Sequence, residues 1–95
     1  MSAESVVADH AVPALRPHFR FQWEPAQEAH VLLYPEGMIK LNGSAGEILA
    51  CVNGEQNVAA IIAVLSAKFP DAGDLADDVT QFLSVAYDKR WIEFK

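Results

Sequence analysis

Residues 32–42, with the sequence LLYPEGMIKLN, contain the pattern that most strongly predicts the fold. At its centre, residues 34–37 (YPEG) place proline second and glycine fourth, which is typical of a type I turn. Before the turn, Ala29–Tyr34 is apolar on both faces, as in a central strand that is covered on both sides. After it, Ile39 and Leu41 share one face of a short strand over residues 38–41. The stretch therefore predicts an antiparallel hairpin.

A further strand is predicted upstream of this hairpin. Phe19, Phe21 and Trp23 alternate with polar residues, which gives a period of two with one apolar face. Residues 24–28 (EPAQE) interrupt the alternation as a turn. We therefore expect a three-stranded antiparallel meander, in which residues 38–41 form an open edge if nothing else pairs with them.

Downstream of the hairpin the apolar residues follow a period of 3.6, which predicts three helices. Residues 44–47 (SAGE) have the spacing of a capping box with Ser44 as the N-cap of the first helix. Asn57 is the predicted cap of the second helix, which Pro70 ends. The inward positions are Ala45, Ile48, Leu49 and Val52 in the first helix, Val58, Ile61, Ile62, Leu65 and Phe69 in the second, and Leu75, Val79, Phe82, Leu83 and Ala86 in the third.

Three strands followed by three helices predict a small α+β domain. A helix, a short turn and a second helix beside a sheet make up the composition of a winged helix-turn-helix-like domain. Residues 91–94 are expected to fold back onto the core as an apolar tail. Residues 1–15 show no sustained period and are predicted to form a flexible N-terminal tail, so the predicted domain spans residues 16–95.

The composition excludes several classes of protein. Seven Lys and Arg against 13 Asp and Glu give a net charge of −6, which disfavours binding to nucleic acid or to an anionic membrane. No apolar run reaches the ~18 residues of a membrane span, and the first residues lack the features of a signal peptide. We therefore expect a cytoplasmic protein. Its single cysteine, Cys51, cannot form an internal disulfide.

The residues that most often carry catalysis or bind metals show no suitable arrangement in the sequence. The three histidines are not spaced as metal ligands on one helix face. Cys51 has no base or cation near it in the sequence to activate it. Asp74, Asp77 and Asp78 fit the start of a helix, where the macrodipole stabilises negative charge. We therefore predict no catalytic residue, no metal site and no cofactor.

Two surface features indicate binding to another molecule. An open edge at residues 38–41 has unpaired amides and carbonyls that can pair with an extended peptide. The outer faces of the second and third helices also carry small and apolar residues, which suit either the core or a dimer contact. A peptide-binding adaptor, a winged-helix DNA-binding transcription regulator and a structural homodimer are the three hypotheses. Asp77 and Asp78 disfavour the regulator, because a recognition helix needs cations and amides.

Motifs spread over residues 16–94 match one known family. The most specific is LLYPEGMIKLN followed by the A-x-x-I-L of residues 45–49. The others are Arg16-Pro17, Phe19-Arg20, Trp23, Gly54, Val58, Ile61, Asp78-Val79, Phe82-Leu83 and Trp91-Ile92. With these motifs the chain resembles the pyrroloquinoline quinone (PQQ) biosynthesis protein D family, PqqD. It departs from the family pattern at Gln56-Asn57, where Arg-Thr is common.

The resemblance implies a non-enzymatic recognition element for the precursor of a ribosomally made, post-translationally modified peptide (RiPP). Members of the family are described as peptide chaperones that bind the PQQ precursor peptide. They present it to a radical S-adenosylmethionine (SAM) enzyme, which cross-links a Glu and a Tyr side chain of the peptide. In related domains the leader of the peptide pairs with the third strand and lies against the third helix. Carried onto this chain, the resemblance implies a peptide-binding site at Met38, Ile39, Lys40, Leu41, Asp78, Phe82, Val85 and Ala86.

Overall fold

The computed structural model describes residues 7–95, which form two antiparallel sheets and three α-helices. The strands are β1 (Pro13–Leu15), β2 (Arg20–Glu24), β3 (Ala29–Tyr34), β4 (Gly37–Lys40) and β5 (Ile92–Phe94). The helices are α1 (Gly43–Ala50), α2 (Val58–Lys68) and α3 (Ala76–Asp88), with a 3₁₀ turn at Pro70–Ala72. The predicted small α+β domain, with an antiparallel sheet and three helices, is confirmed.

Strands β2, β3 and β4 form the predicted meander, with β3 in the centre. Leu32 of β3 lies opposite Ile39 of β4, and Tyr34 lies opposite Gly37 at the turn. Val31 and Leu32 both have 0% of their surface exposed. Because successive side chains of a strand point to opposite faces, β3 is covered on both faces, as its sequence predicted.

The segment before β2 differs from its prediction. Strand β1 pairs antiparallel with β5, with Pro13 opposite Phe94 and Leu15 opposite Ile92. Val7 is buried in the core with 6% of its surface exposed. The predicted flexible tail and the domain boundary at residue 16 are therefore wrong for residues 7–15, because the partner that orders β1 lies at the other end of the chain. The remainder of the predicted tail, residues 1–6, lies outside the described residues.

Asparagine side chains cap the first two helices. Asn42 accepts a hydrogen bond from the Ala45 amide at 2.8 Å, so the cap of α1 lies two residues before the predicted cap, Ser44, which lies in the first turn of the helix instead. Asn57 accepts from the Ala60 amide at 2.9 Å, which confirms the predicted cap of α2. Because of the Asn42 cap, α1 begins only a few residues after β4 ends.

The core lies between the central sheet and the helices. Leu32, Ile61, Leu83 and Ile92 are its largest fully buried side chains, so each layer of the fold contributes to it. Helix α1 approaches β3 closely at Gly46, where an added Cβ would lie 2.8 Å from Nδ1 of His30. This close contact positions α1 against the sheet.

Candidate functional site

The site begins with the free edge of the central sheet. Within residues 7–95, β4 pairs only with β3, so one side of its backbone is unpaired. Met38 is 46% exposed and Lys40 is exposed, whereas Ile39 is half-buried against the core. This is the open edge that the sequence predicted.

The register of β4 determines which of its backbone groups face outward. The Leu41 amide donates to the His30 carbonyl at 3.0 Å, so this pair of residues is hydrogen-bonded. Hydrogen-bonded and non-hydrogen-bonded pairs alternate along an antiparallel ladder. Met38 and Lys40 therefore occupy non-hydrogen-bonded positions against β3. Their N–H and C=O groups point to the open edge, at the spacing that an added strand requires.

A groove runs between the start of α1 and the exposed face of α3, directly after β4 ends. We call it the α1–α3 groove, and it has a volume of about 450 Å³. Its lining residues are Asn42, Ser44, Ala45, Ile48, Asp78, Gln81, Phe82 and Val85. Asp78, Phe82 and Val85 are spaced by four and three residues, which places them on one face of α3. The centroid of the Phe82 ring lies 6.5 Å from that of the Trp91 ring, so the segment after α3 packs against Phe82.

The eight residues predicted to bind peptide fall into three groups. Asp78, Phe82 and Val85 lie together in the α1–α3 groove. Met38, Ile39 and Lys40 lie on the adjoining edge strand. Leu41 and Ala86 belong to the core.

Leu41 and Ala86 are 5% and 0% exposed, so their side chains do not reach the surface. The structure contradicts these two assignments. Ala86 follows the apolar period of α3, which places its side chain in the core. The neighbouring residue, Val85, faces solvent. Leu41 follows β4 and points its amide back to β3.

A second, more apolar pocket adjoins the groove and was not predicted from the sequence. Its volume is about 400 Å³ and it lies between α1, the end of α2 and the start of α3. Its lining residues are Gly43, Ser44, Glu47, Ile48, Leu65, Phe69, Ala72, Leu75, Asp78 and Val79. Phe69 is 38% exposed rather than inward as predicted, because α2 ends at Lys68 and the chain turns away at Pro70–Ala72. We call this space the anchor pocket.

The charges around the groove and the anchor pocket are unevenly compensated. Lys68 and Glu47 form an ion pair at 2.7 Å between α2 and α1. Asp78 is exposed, and within residues 7–95 it has no ion pair. An uncompensated carboxylate therefore lies where the groove meets the anchor pocket.

Cys51 and His30, whose residue types often carry catalysis or bind metals, line neither the groove nor the anchor pocket. Cys51 is buried, and burial raises the pKa of its thiol, with a lowering contribution from Lys68 and a raising one from Glu47. His30 stacks on Phe21 with ring centroids 4.8 Å apart. Across residues 7–95, no three His, Cys, Asp or Glu side chains are grouped so that they would hold a metal ion. None of the described helices has the length and apolar character that crossing a bilayer requires.

A family model described as coenzyme PQQ synthesis protein D (PqqD) matches residues 29–92, which is more than half of the chain. This protein belongs to the PqqD family. The match contains the open β4 edge, all three helices and every residue of the α1–α3 groove.

Relatives and a solved structure agree with membership in the PqqD family. The chain is 55% identical over 85 residues to the PqqA binding protein of Kluyvera intermedia, covering 90% of this chain and 92% of that protein. It is 56% identical over 82 residues to the PqqA binding protein of Azotobacter vinelandii, covering 86% and 89%. It also resembles the solution structure of the PqqD truncation of Methylobacterium extorquens PqqCD, which is described as a functional, stand-alone RiPP recognition element. That match has a TM-score of 0.77 and 26% identity, and it covers 97% of this chain and 99% of the other.

Proposed function

We propose that this protein binds the precursor peptide PqqA and acts as a peptide adaptor in PQQ biosynthesis. The observation that carries the proposal is the open β4 edge, where Met38 and Lys40 direct unpaired backbone groups outward beside the α1–α3 groove. Membership in the PqqD family and the names of the curated relatives support the same ligand.

The arrangement divides affinity and specificity between two parts of the site. A peptide that adds to β4 gains main-chain hydrogen bonds with Met38 and Lys40, which any sequence can form. The side chains of the peptide that point to the groove contact Phe82 and Val85, and these contacts distinguish one peptide from another. Lys40 is the only cation of β4, and a carboxylate of the peptide would pair with it.

The resemblance to the PqqD family implies how the bound peptide is used. The adaptor presents bound PqqA to a radical SAM enzyme that cross-links Glu and Tyr, so it needs no catalytic group of its own. Because PqqA is made on the ribosome, we expect the protein to act in the cytoplasm. A reconstituted cross-linking reaction tests this role: adding the adaptor raises the yield of cross-linked PqqA, and an equal yield without it contradicts the role.

Isothermal titration calorimetry with synthetic PqqA tests the proposed function. We expect saturable binding with one peptide for each protein chain, and much weaker binding of a scrambled peptide of the same composition, which keeps only the main-chain hydrogen bonds. Absence of binding, or equal binding of both peptides, contradicts the proposal. A DNA duplex bound with a steep salt dependence would support the regulator instead, which the exposed Asp77, Asp78 and Asp88 of α3 disfavour.

A further inference from the structure

The anchor pocket is continuous with the α1–α3 groove. Ser44, Ile48 and Asp78 line both of them. Asn42, two residues beyond the Lys40 end of β4, lines the groove, and the next residue, Gly43, lines the anchor pocket. A peptide that pairs with β4 and continues past Lys40 therefore reaches the region where the two spaces meet.

The interior of the anchor pocket is apolar and open to solvent. Ile48, Leu65 and Val79, which are 6%, 3% and 1% exposed, supply its floor from three different helices. Phe69 and Leu75 add apolar walls. A volume of about 400 Å³ lies within the range of small-ligand pockets. Binding of an apolar side chain in this space is favourable, because it removes apolar surface from water.

The charge at the mouth of the pocket indicates which type of peptide residue lies next to that apolar side chain. Glu47 is already neutralised by Lys68, whereas Asp78 has no ion pair within residues 7–95. A cation next to the apolar group gains a partner there, and a carboxylate next to it is repelled.

We propose that the anchor pocket is a second subsite for the same peptide, and that it receives one apolar side chain from the segment beyond the strand-paired residues. A Lys or Arg of the peptide next to that side chain pairs with Asp78. This inference rests on the proposed binding of PqqA. It assigns to the anchor pocket the selection of a peptide in which an apolar residue has a basic neighbour.

Filling the pocket is the first test, with PqqA as the probe in calorimetry. Ala72→Trp introduces a large side chain from an exposed position of the lining, and we expect it to weaken PqqA binding about tenfold or more. Ala67→Trp is the matched control, because Ala67 is exposed on α2 and is absent from the lining of the pocket and the groove. It should change the affinity by less than about twofold. Circular dichroism establishes that both variants are folded.

Removing the charge is the second test. Asp78→Asn should weaken PqqA binding about three- to tenfold and reduce its salt dependence. Asp77→Asn removes a neighbouring exposed charge of α3 that lines neither space, and it should leave the affinity unchanged.

An alanine scan of PqqA identifies the side chain that enters the pocket. Replacing one apolar residue of PqqA by alanine should lower the affinity for the wild-type protein about tenfold. The same replacement should lower the affinity for Ala72→Trp by less than about twofold, because the two changes remove the same contact. If wild-type protein binds PqqA but Ala72→Trp binds it equally well, the anchor pocket is not a subsite and the adaptor function stands. If wild-type protein does not bind PqqA, both proposals are wrong.

Discussion

The amide of Leu41 donates to the carbonyl of His30 at 3.0 Å, and this bond fixes the orientation of the whole β4 backbone. Because ladder pairs alternate, it directs the N–H and C=O groups of Met38 and Lys40 away from β3. The two residues whose backbone groups face out also have exposed side chains. The edge is thus open to strand addition at two defined positions.

Lys40→Pro tests the outward amide. Proline removes the N–H that a bound peptide would accept from, while no ladder bond within the protein is lost at this position. We expect PqqA affinity to fall about tenfold with little change in the melting temperature. Lys40→Arg keeps both the amide and the charge and should bind normally. Equal affinity of the folded proline variant would show that this amide does not pair with the peptide.

Two substitutions on α3 separate a role in the groove from a role in stability. Phe82→Ala should weaken PqqA binding and also lower the free energy of unfolding by about 2–3 kcal/mol, because the ring is half-buried beside Trp91. Val85 is 47% exposed, so Val85→Ala should weaken binding while leaving stability within about 0.5 kcal/mol of the wild type. Urea unfolding and calorimetry measure the two effects. Unchanged peptide affinity in both variants would exclude the α1–α3 groove as the binding surface.

Gly46→Ala tests the close approach of α1 to β3. Its Cβ would lie 2.8 Å from Nδ1 of His30, so we expect the free energy of unfolding to fall by about 1–3 kcal/mol. Gly43→Ala in the same helix is the control, because an added Cβ there has no neighbour within 4 Å. It should be neutral or slightly stabilising. The Gly46→Ala cost should shrink in a His30→Ala background, and an equal cost in both backgrounds would contradict the contact.

Cys51 should react slowly in the folded protein. Burial raises the pKa of its thiol, so the thiolate is scarce at pH 8 and iodoacetamide should modify the folded chain about tenfold more slowly than the urea-unfolded chain. At neutral pH both states keep the proton, and the pKa shift has no effect on stability. As the pH rises past the unfolded pKa, the unfolded thiol loses its proton first, so the free energy of unfolding falls. Cys51→Ala should abolish the labelling and this part of the alkaline destabilisation.

The parts of the fold that depend on residues close together in the sequence could be predicted from it. The meander follows from alternation and from the turn at residues 34–37, and the cap at Asn57 is a local signal. The pairing of Pro13 with Phe94 joins opposite ends of the chain, and no local period indicates it. Short strands of three residues also carry too little alternation to be distinguished from a tail.

The candidate site was predictable in outline. The edge strand and the exposed positions of α3 follow from periodicity and from the family resemblance. The anchor pocket depends on where Phe69 goes once α2 ends, and a helical stripe alone places that ring in the core. Its exposure is a consequence of tertiary geometry at the turn of Pro70–Ala72.

Amide hydrogen exchange of β4, followed by NMR with and without PqqA, tests the central claim most directly. The Leu41 amide, which already donates to His30, should exchange slowly in both states. The amides of Met38 and Lys40 should exchange quickly in the free protein and become protected when PqqA saturates it, because they then donate to the added strand. Saturation with PqqA that leaves both amides exchanging as fast as before would contradict strand addition at β4.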